Sequence, residues 1–206
     1  MSFYENKIFP PVMEFTTRVL RKDIAKVLSQ AEGRVLEIGA GTGANFQFYG
    51  DAVSEVVSIE PVATMVETAR RRTRKRQQRF PITVEQGDAR QLPYDDHSFD
   101  SVVACLVYCT IPDPHLAAAE MHRVLKPQGK LVFFEHVASK RPKVQRWQQR
   151  LNPLWKKLAC GCEITRSTRD LFEQAGFSYA QISDYDHPKL AALIAPLISG
   201  VAHKQG

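Results

Sequence analysis

Apolar positions along the 206-residue chain recur with two different spacings. Short runs rich in Val, Ile, Leu and Phe read as buried strands. They are separated by stretches with apolar residues three and four apart, the spacing of helices that bury one face. Pro10-Pro11 opens a helix that carries Val12, Phe15, Val19, Ile24, Val27 and Leu28 on one stripe and stops near Gly33. Strands are predicted at Arg34–Ile38, Glu55–Ile59, Ile82–Glu85, Phe99–Val107 and Lys130–His136, with short final strands at Ile182–Tyr185 and Leu197–Ala202. Helices are predicted at 44–49, from Val62 through Met65, Val66 and Ala69, at Pro114–Leu125, and at Arg166–Ala175 ahead of Gly176. Strands alternating with helices predict an α/β fold, a mostly parallel sheet with helices on both faces.

Composition narrows this picture. The length suits one domain, with 1–32 as a helical cover, 33–137 as the binding core and 138–206 as a second cover with the last strands. No apolar run reaches the ~18 residues of a membrane span, and no secretory signal opens the chain. Four cysteines make no disulfide framework, so a reducing cytoplasm is expected. The net charge of +6 is concentrated in Arg70–Arg79, which holds seven cations and no acid. Such a run attracts phosphates by counterion release. It also fits the solvated C-terminal end of a surface helix, and with no aromatic residue for base stacking no nucleic-acid partner is expected.

The chemistry starts at R-V-L-E-I-G-A-G-T-G, Arg34 to Gly43. Gly39, Gly41 and Gly43 follow a strand where a ligand must approach backbone closely. The loop also satisfies the dinucleotide pattern G-x-G-x-x-A through Gly39, Gly41 and Ala44. Glu60 closes strand two beside Pro61, and Gly87-Asp88-Ala89 follow strand three. Carboxyl ends of neighbouring strands are where open α/β sheets bind ligands. A carboxylate at Glu60 can accept two hydrogen bonds from a ribose diol. Asp88 can accept from an adenine amine while the Ala89 N–H donates to the ring.

These residues resemble the class I S-adenosylmethionine-dependent methyltransferases. E-I-G-A-G-T-G is similar to that family's first motif, Glu60 to its ribose-binding acid, and Gly87–Asp100 to its adenine segment. R-V-L-K-P-Q-G-K-L (Arg123–Leu131) resembles its turn before strand five, with Gln128 where glycine is commoner. The resemblance implies S-adenosyl-L-methionine as cofactor and a Rossmann-like, doubly wound seven-stranded sheet with an antiparallel last strand. It implies Glu37, Gly39, Gly41, Gly43, Glu60, Pro61, Met65, Gly87, Asp88, Ala89 and Leu106 as cofactor-binding residues. L-V-Y-C-T, F-F-E-H-V-A, W-Q-Q-R-L-N-P-L-W and G-C-E-I-T-R look like the thiol S-methyltransferase branch. Animal members of that branch carry an N-terminal membrane-associating segment, which is not recognised in this sequence, so a soluble relative acting on a small-molecule methyl acceptor is expected.

A sulfonium methyl is already activated, so alignment is the main requirement. His136 is the candidate base, with a backbone-bonded structural histidine as the competing reading. Tyr108 and Cys109 close strand four toward the same edge and are candidate pocket residues, with core packing as the equal alternative; Tyr4 is another, in a lid formed with Phe3, against a frayed terminus. Trp147–Leu158 makes an apolar stripe despite Pro153, predicted to cover the acceptor or to touch a membrane surface. Trp147 is the residue expected to meet the acceptor. Cys160 and Cys162 lack the ligand count of a structural zinc site, and no metal is expected. Amine, phenol or lipid-headgroup acceptors remain open, as do a nicotinamide-dependent oxidoreductase, a catalytically silent adenosyl-binding module and the oligomeric state.

Overall fold

The computed structural model describes residues 9–75, 77 and 79–205, with side chains described from residue 18 onward. The chain runs α1 (Phe9–Leu28), β1 (Gly33–Ile38), a 3₁₀ turn (Ala44–Phe48), β2 (Val53–Glu60), α2 (Ala63–Lys75) and β3 (Ile82–Gln86). It continues with β4 (Phe99–Cys105), α3 (Pro114–Val124), β5 (Leu125–His136), α4 (Pro142–Leu158), α5 (Thr168–Gln174), β6 (Phe177–Asp186) and β7 (Pro196–Lys204). The strands form one seven-stranded sheet in the order β3-β2-β1-β4-β5-β7-β6. β7 runs antiparallel to both of its neighbours. The other pairings are parallel.

Because β4 pairs on the opposite side of β1 from β2, the connections leave β1 and β4 in opposite directions. That reversal opens a crevice at the carboxyl ends of these two strands. β4 has no polar alternation because both its faces are covered: Val102, Val103 and Ala104 are all fully buried. One apolar layer packs Leu36, Phe133 and Phe172 on one side of the sheet, and another packs Val35, Val103 and Phe134 on the other.

The final strands are longer than the apolar runs suggested. β6 lies at the sheet edge and begins five residues earlier than expected, at the buried core residue Phe177, pairing with β7 along its length. α5 starts at Thr168, two residues later than expected, which frees Arg166 for another role. Gln128 is not among the residues with positive φ, so the turn before the main run of β5 accepts it without glycine geometry. The basic run is partly tied down: the Arg70 guanidinium donates to the Val84 carbonyl at 3.0 Å, Arg72 to Thr42 Oγ1 at 3.3 Å, and Arg79 to Asp51 and the Tyr49 carbonyl.

Candidate active site

β1 ends in a loop whose three glycines, Gly39, Gly41 and Gly43, all have left-handed φ values of 69°, 54° and 74°. L-residues with a side chain resist that conformation. Two glycines differ in what surrounds them. A Cβ on Gly39 would lie 2.3 Å from Val107 Cγ2, whereas a Cβ on Gly41 would meet nothing within 4 Å. Gly39 is therefore demanded by packing, and Gly41 by conformation beside an open space.

That space is a cavity of about 760 Å³ along the carboxyl edge of the sheet. Glu60 ties its floor together. Its carboxylate, 5 % exposed, accepts the Gly41 N–H at 2.9 Å and the Val62 N–H at 3.0 Å. Burial pushes this carboxyl above its ordinary pKa, and the two amides pull it back. Gly39, Gly41, Glu60, Pro61, Met65, Gly87, Asp88, Ala89 and Leu106 all line the cavity. Asp88 is engaged by Arg90, whose guanidinium donates to both its oxygens at 2.6 to 3.1 Å and holds it below the usual carboxylate range. Arg90, inside the segment resembling the adenine motif but not itself an expected site residue, lines the cavity too.

Glu37 and Gly43 stand behind the lining. Glu37 is fully buried, accepts from Asn45 Nδ2 at 2.9 Å, and meets the cavity only through Asn45. Burial raises its carboxyl to about 7 against the pull of Asn45 and Tyr49.

The turn after β4 is clamped from both polarities. Buried Glu135 accepts the N–H groups of Val107 and Tyr108, each at 3.1 Å. Arg166 donates to the carbonyls of Tyr108 and Ile111 at 2.6 and 2.7 Å. Burial pushes the Glu135 carboxyl up to about 8, partly offset by those two amides. Leu106, at φ 54°, turns the chain over the cavity within this clamp. Both residues fall in segments that resemble the thiol S-methyltransferase branch, but no spacing announced the clamp: β5 beside β4 brings Glu135 to the turn, and the loop before α5 brings Arg166.

Two pocket expectations are corrected. Tyr108 is fully buried in the core, edge-on to Phe172 at 4.8 Å, because the clamp turns its ring away from the cavity. Trp147 is 55 % exposed and absent from the lining, whereas Trp155 and Leu158 of the same helix do line it. Tyr4 and Phe3 lie outside the described residues. Cys109 does line the cavity, and its thiol is hydrogen-bonded to that of Cys162. Among the described residues no cluster of three His, Cys, Asp or Glu side chains could hold a metal.

His136 lines the cavity at the end of β5. Burial lowers its imidazole to about 4, the Ile194 backbone opposing only in part, so it stays neutral at physiological pH. Its Nδ1 is buried with no hydrogen-bond partner among the described residues.

A reversed seventh strand, a glycine cradle with open space above Gly41, and a buried acid closing β2 define an adenosyl-binding α/β enzyme. Comparison with known proteins makes the class particular. Residues 36–133 match the family described as methyltransferase domain. The chain is 37 % identical over 199 residues to thiol S-methyltransferase TMT1B of Homo sapiens, covering 93 % of this chain and 80 % of that one. It is 33 % identical over 175 residues to thiol S-methyltransferase TMT1A of Homo sapiens, covering 82 % and 70 %. A solved S-adenosylmethionine-dependent methyltransferase from Methanosarcina mazei shares the fold, with TM-score 0.70 at 18 % identity over 88 % of this chain and 97 % of that one. The chain belongs to the S-adenosylmethionine-dependent methyltransferases, and S-adenosylmethionine is its cofactor.

Proposed function

We propose that this methyltransferase methylates the sulfur of a small, apolar thiol. The observation that carries the reading is the distribution of charge along the cavity wall. Its carboxylates, Glu60 and Asp88, both lie at the glycine-loop end. α4 and the segments after it supply Trp155, Leu158, Ala159, Ile164, Leu190 and Ile194 to the wall, and no carboxylate. An ammonium acceptor would want an anion there, while a neutral thiol is matched by apolar walls. The two relatives named as thiol S-methyltransferases support the same reading.

In this reading the open space over Gly41 takes the adenosyl group, Glu60 accepts from the ribose hydroxyls, and Ala89 and Asp88 meet the base. The bound cofactor supplies an electrophilic sulfonium methyl. The residues of the chain then bind, align and exclude water, which in well-oriented systems removes on the order of 7–11 kcal/mol from the barrier. His136, kept neutral by burial, is available as a proton acceptor. Its low basicity suits a late role, because the S–H proton becomes strongly acidic only as the new S–C bond forms.

Transfer of a labelled methyl group to a panel of alkyl thiols, phenols and amines tests the proposal. Thioether products are expected from the thiols. Methylation of amines or phenols with the thiols left untouched overturns it.

A further inference from the structure

The outer face of α4, which meets the cavity only at Leu158, has a partner of its own to explain. Among the described residues, three of the five exposed large apolar side chains lie on this one helix: Trp147 at 55 %, Leu154 at 58 % and Leu158 at 53 %. With half-buried Leu151 they occupy positions i, i+4, i+7 and i+11, a single stripe of a 3.6-residue helix. The helix cannot roll to hide that stripe. Gln148, fully buried, pins the adjacent face by accepting the Ser139 N–H at 2.8 Å and donating to the Leu193 carbonyl at 2.9 Å. Asn152 accepts the Ile164 N–H at 3.0 Å on the same face.

Charge completes the pattern. α4 contains five Lys and Arg residues and no acid. Lys143, Arg150 and Lys157 recur every seven residues along the outer flank of the stripe, and the Arg150 guanidinium lies 5.7 Å from the Trp147 ring centroid. No ion pair involves these three cations among the described residues. A fixed apolar stripe with a cationic flank is the design of a helix lying in a bilayer interface.

We propose that α4 seats the enzyme on an anionic lipid surface, with Trp147, Leu151 and Leu154 entering the headgroup boundary and Lys143, Arg150 and Lys157 meeting lipid phosphates. A second copy of the chain is disfavoured as occupant, because a two-fold contact would bring two acid-free, cationic helices together. Nucleic acid would reward the cations but not the leucines between them. Leu158 belongs both to the stripe and to the cavity wall, so the lipid surface would lie beside the cavity. The proposal stands apart from the choice of methyl acceptor.

The test is co-sedimentation of the full chain with vesicles of phosphatidylcholine, alone or mixed with phosphatidylserine. Binding to the mixed vesicles that weakens with added salt is expected. Lys143→Gln, Arg150→Gln and Lys157→Gln combined should weaken it about 100-fold, close to fivefold per cation. Trp147→Gln with Leu154→Gln should weaken it at least about tenfold. Both variants change exposed positions, and circular dichroism and cofactor affinity should match the parent. If one variant misfolds, the other decides. Failure of the parent to bind, or equal binding by parent and variants, overturns the proposal; the latter would move the contact to another surface such as Arg70–Arg79. So does a concentration-dependent dimer that Leu154→Gln dissociates while vesicles are ignored.

Discussion

Gly39→Ala and Gly41→Ala separate what the glycine loop does for folding from what it does for the cofactor. Both positions have left-handed φ, so either alanine carries about 1–2 kcal/mol of backbone strain. At Gly39 the new methyl also meets Val107 Cγ2 at 2.3 Å and Val107 Cβ at 3.0 Å. Overpacking adds about 1–3 kcal/mol, for a total near 2–5 kcal/mol. At Gly41 nothing lies within 4 Å, so strain is the whole cost to the fold. In a domain of this size that lowers the melting temperature by about 2–8 °C. The methyl then projects into the space assigned to the adenosyl group. Crowding there of about 1–3 kcal/mol weakens S-adenosylmethionine binding about 5- to 150-fold. Thermal unfolding and titration calorimetry read the two effects separately. Gly39→Ala should be the less stable protein, and Gly41→Ala the folded protein with impaired binding. A Gly41→Ala enzyme with parental cofactor affinity would refute the placement of the cofactor over this loop.

Further outcomes follow from the clamps and buried acids. Glu60→Ala removes an acceptor shared by Gly41 and Val62 as well as the proposed ribose contact. At about 1.5–3 kcal/mol per charge-assisted hydrogen bond, cofactor affinity should fall at least tenfold by calorimetry. Glu135 has its folded pKa raised to about 8, so its contribution is complete below an unfolded value near 4.5 and is lost as pH rises through 8. Glu135→Gln should therefore gain on the parent enzyme in urea unfolding at pH 9 relative to pH 5; a pH-independent difference would mean that the carboxyl is ionised throughout. His136 has its folded pKa lowered to about 4, so its contribution is present above 6.5 and is lost as pH falls through 4. The stability of the parent minus that of His136→Ala should rise between those values and then level. On a thiol acceptor His136→Ala should lose no more than about 10²-fold in rate near neutrality, with the loss shrinking as the thiol ionises at higher pH. A loss constant from pH 6 to 9 would make His136 a structural residue.

Much of the cofactor half was legible because its determinants are local. Strand and tight turn follow one another at Ile38–Gly43, and strand and acid at Ile59–Pro61 and Gln86–Ala89, and nine of the eleven expected cofactor residues line the cavity. The acceptor half was less legible. Its walls come from α1, α4, the loop after α4 and the segment before β7, and no spacing rule relates positions so far apart. The period of α4 was plain, but Trp147 and Trp155 lie on different faces. Which face turned inward depended on Gln148 and Asn152 finding partners at Ser139, Leu193 and Ile164.

The sequence by itself determined the alternation of strands and helices, the glycine loop and the acids at the strand ends, because backbone conformation and hydrophobic period are written in neighbouring residues. The tertiary structure alone decided that Tyr108 is core, that Arg166 and Glu135 hold the turn after β4, and that His136 is a neutral, weak base. Those properties arise from burial and from hydrogen bonds between segments remote in the chain. Desolvation by surrounding packing, rather than the type of side chain, sets what a carboxyl or an imidazole can do there.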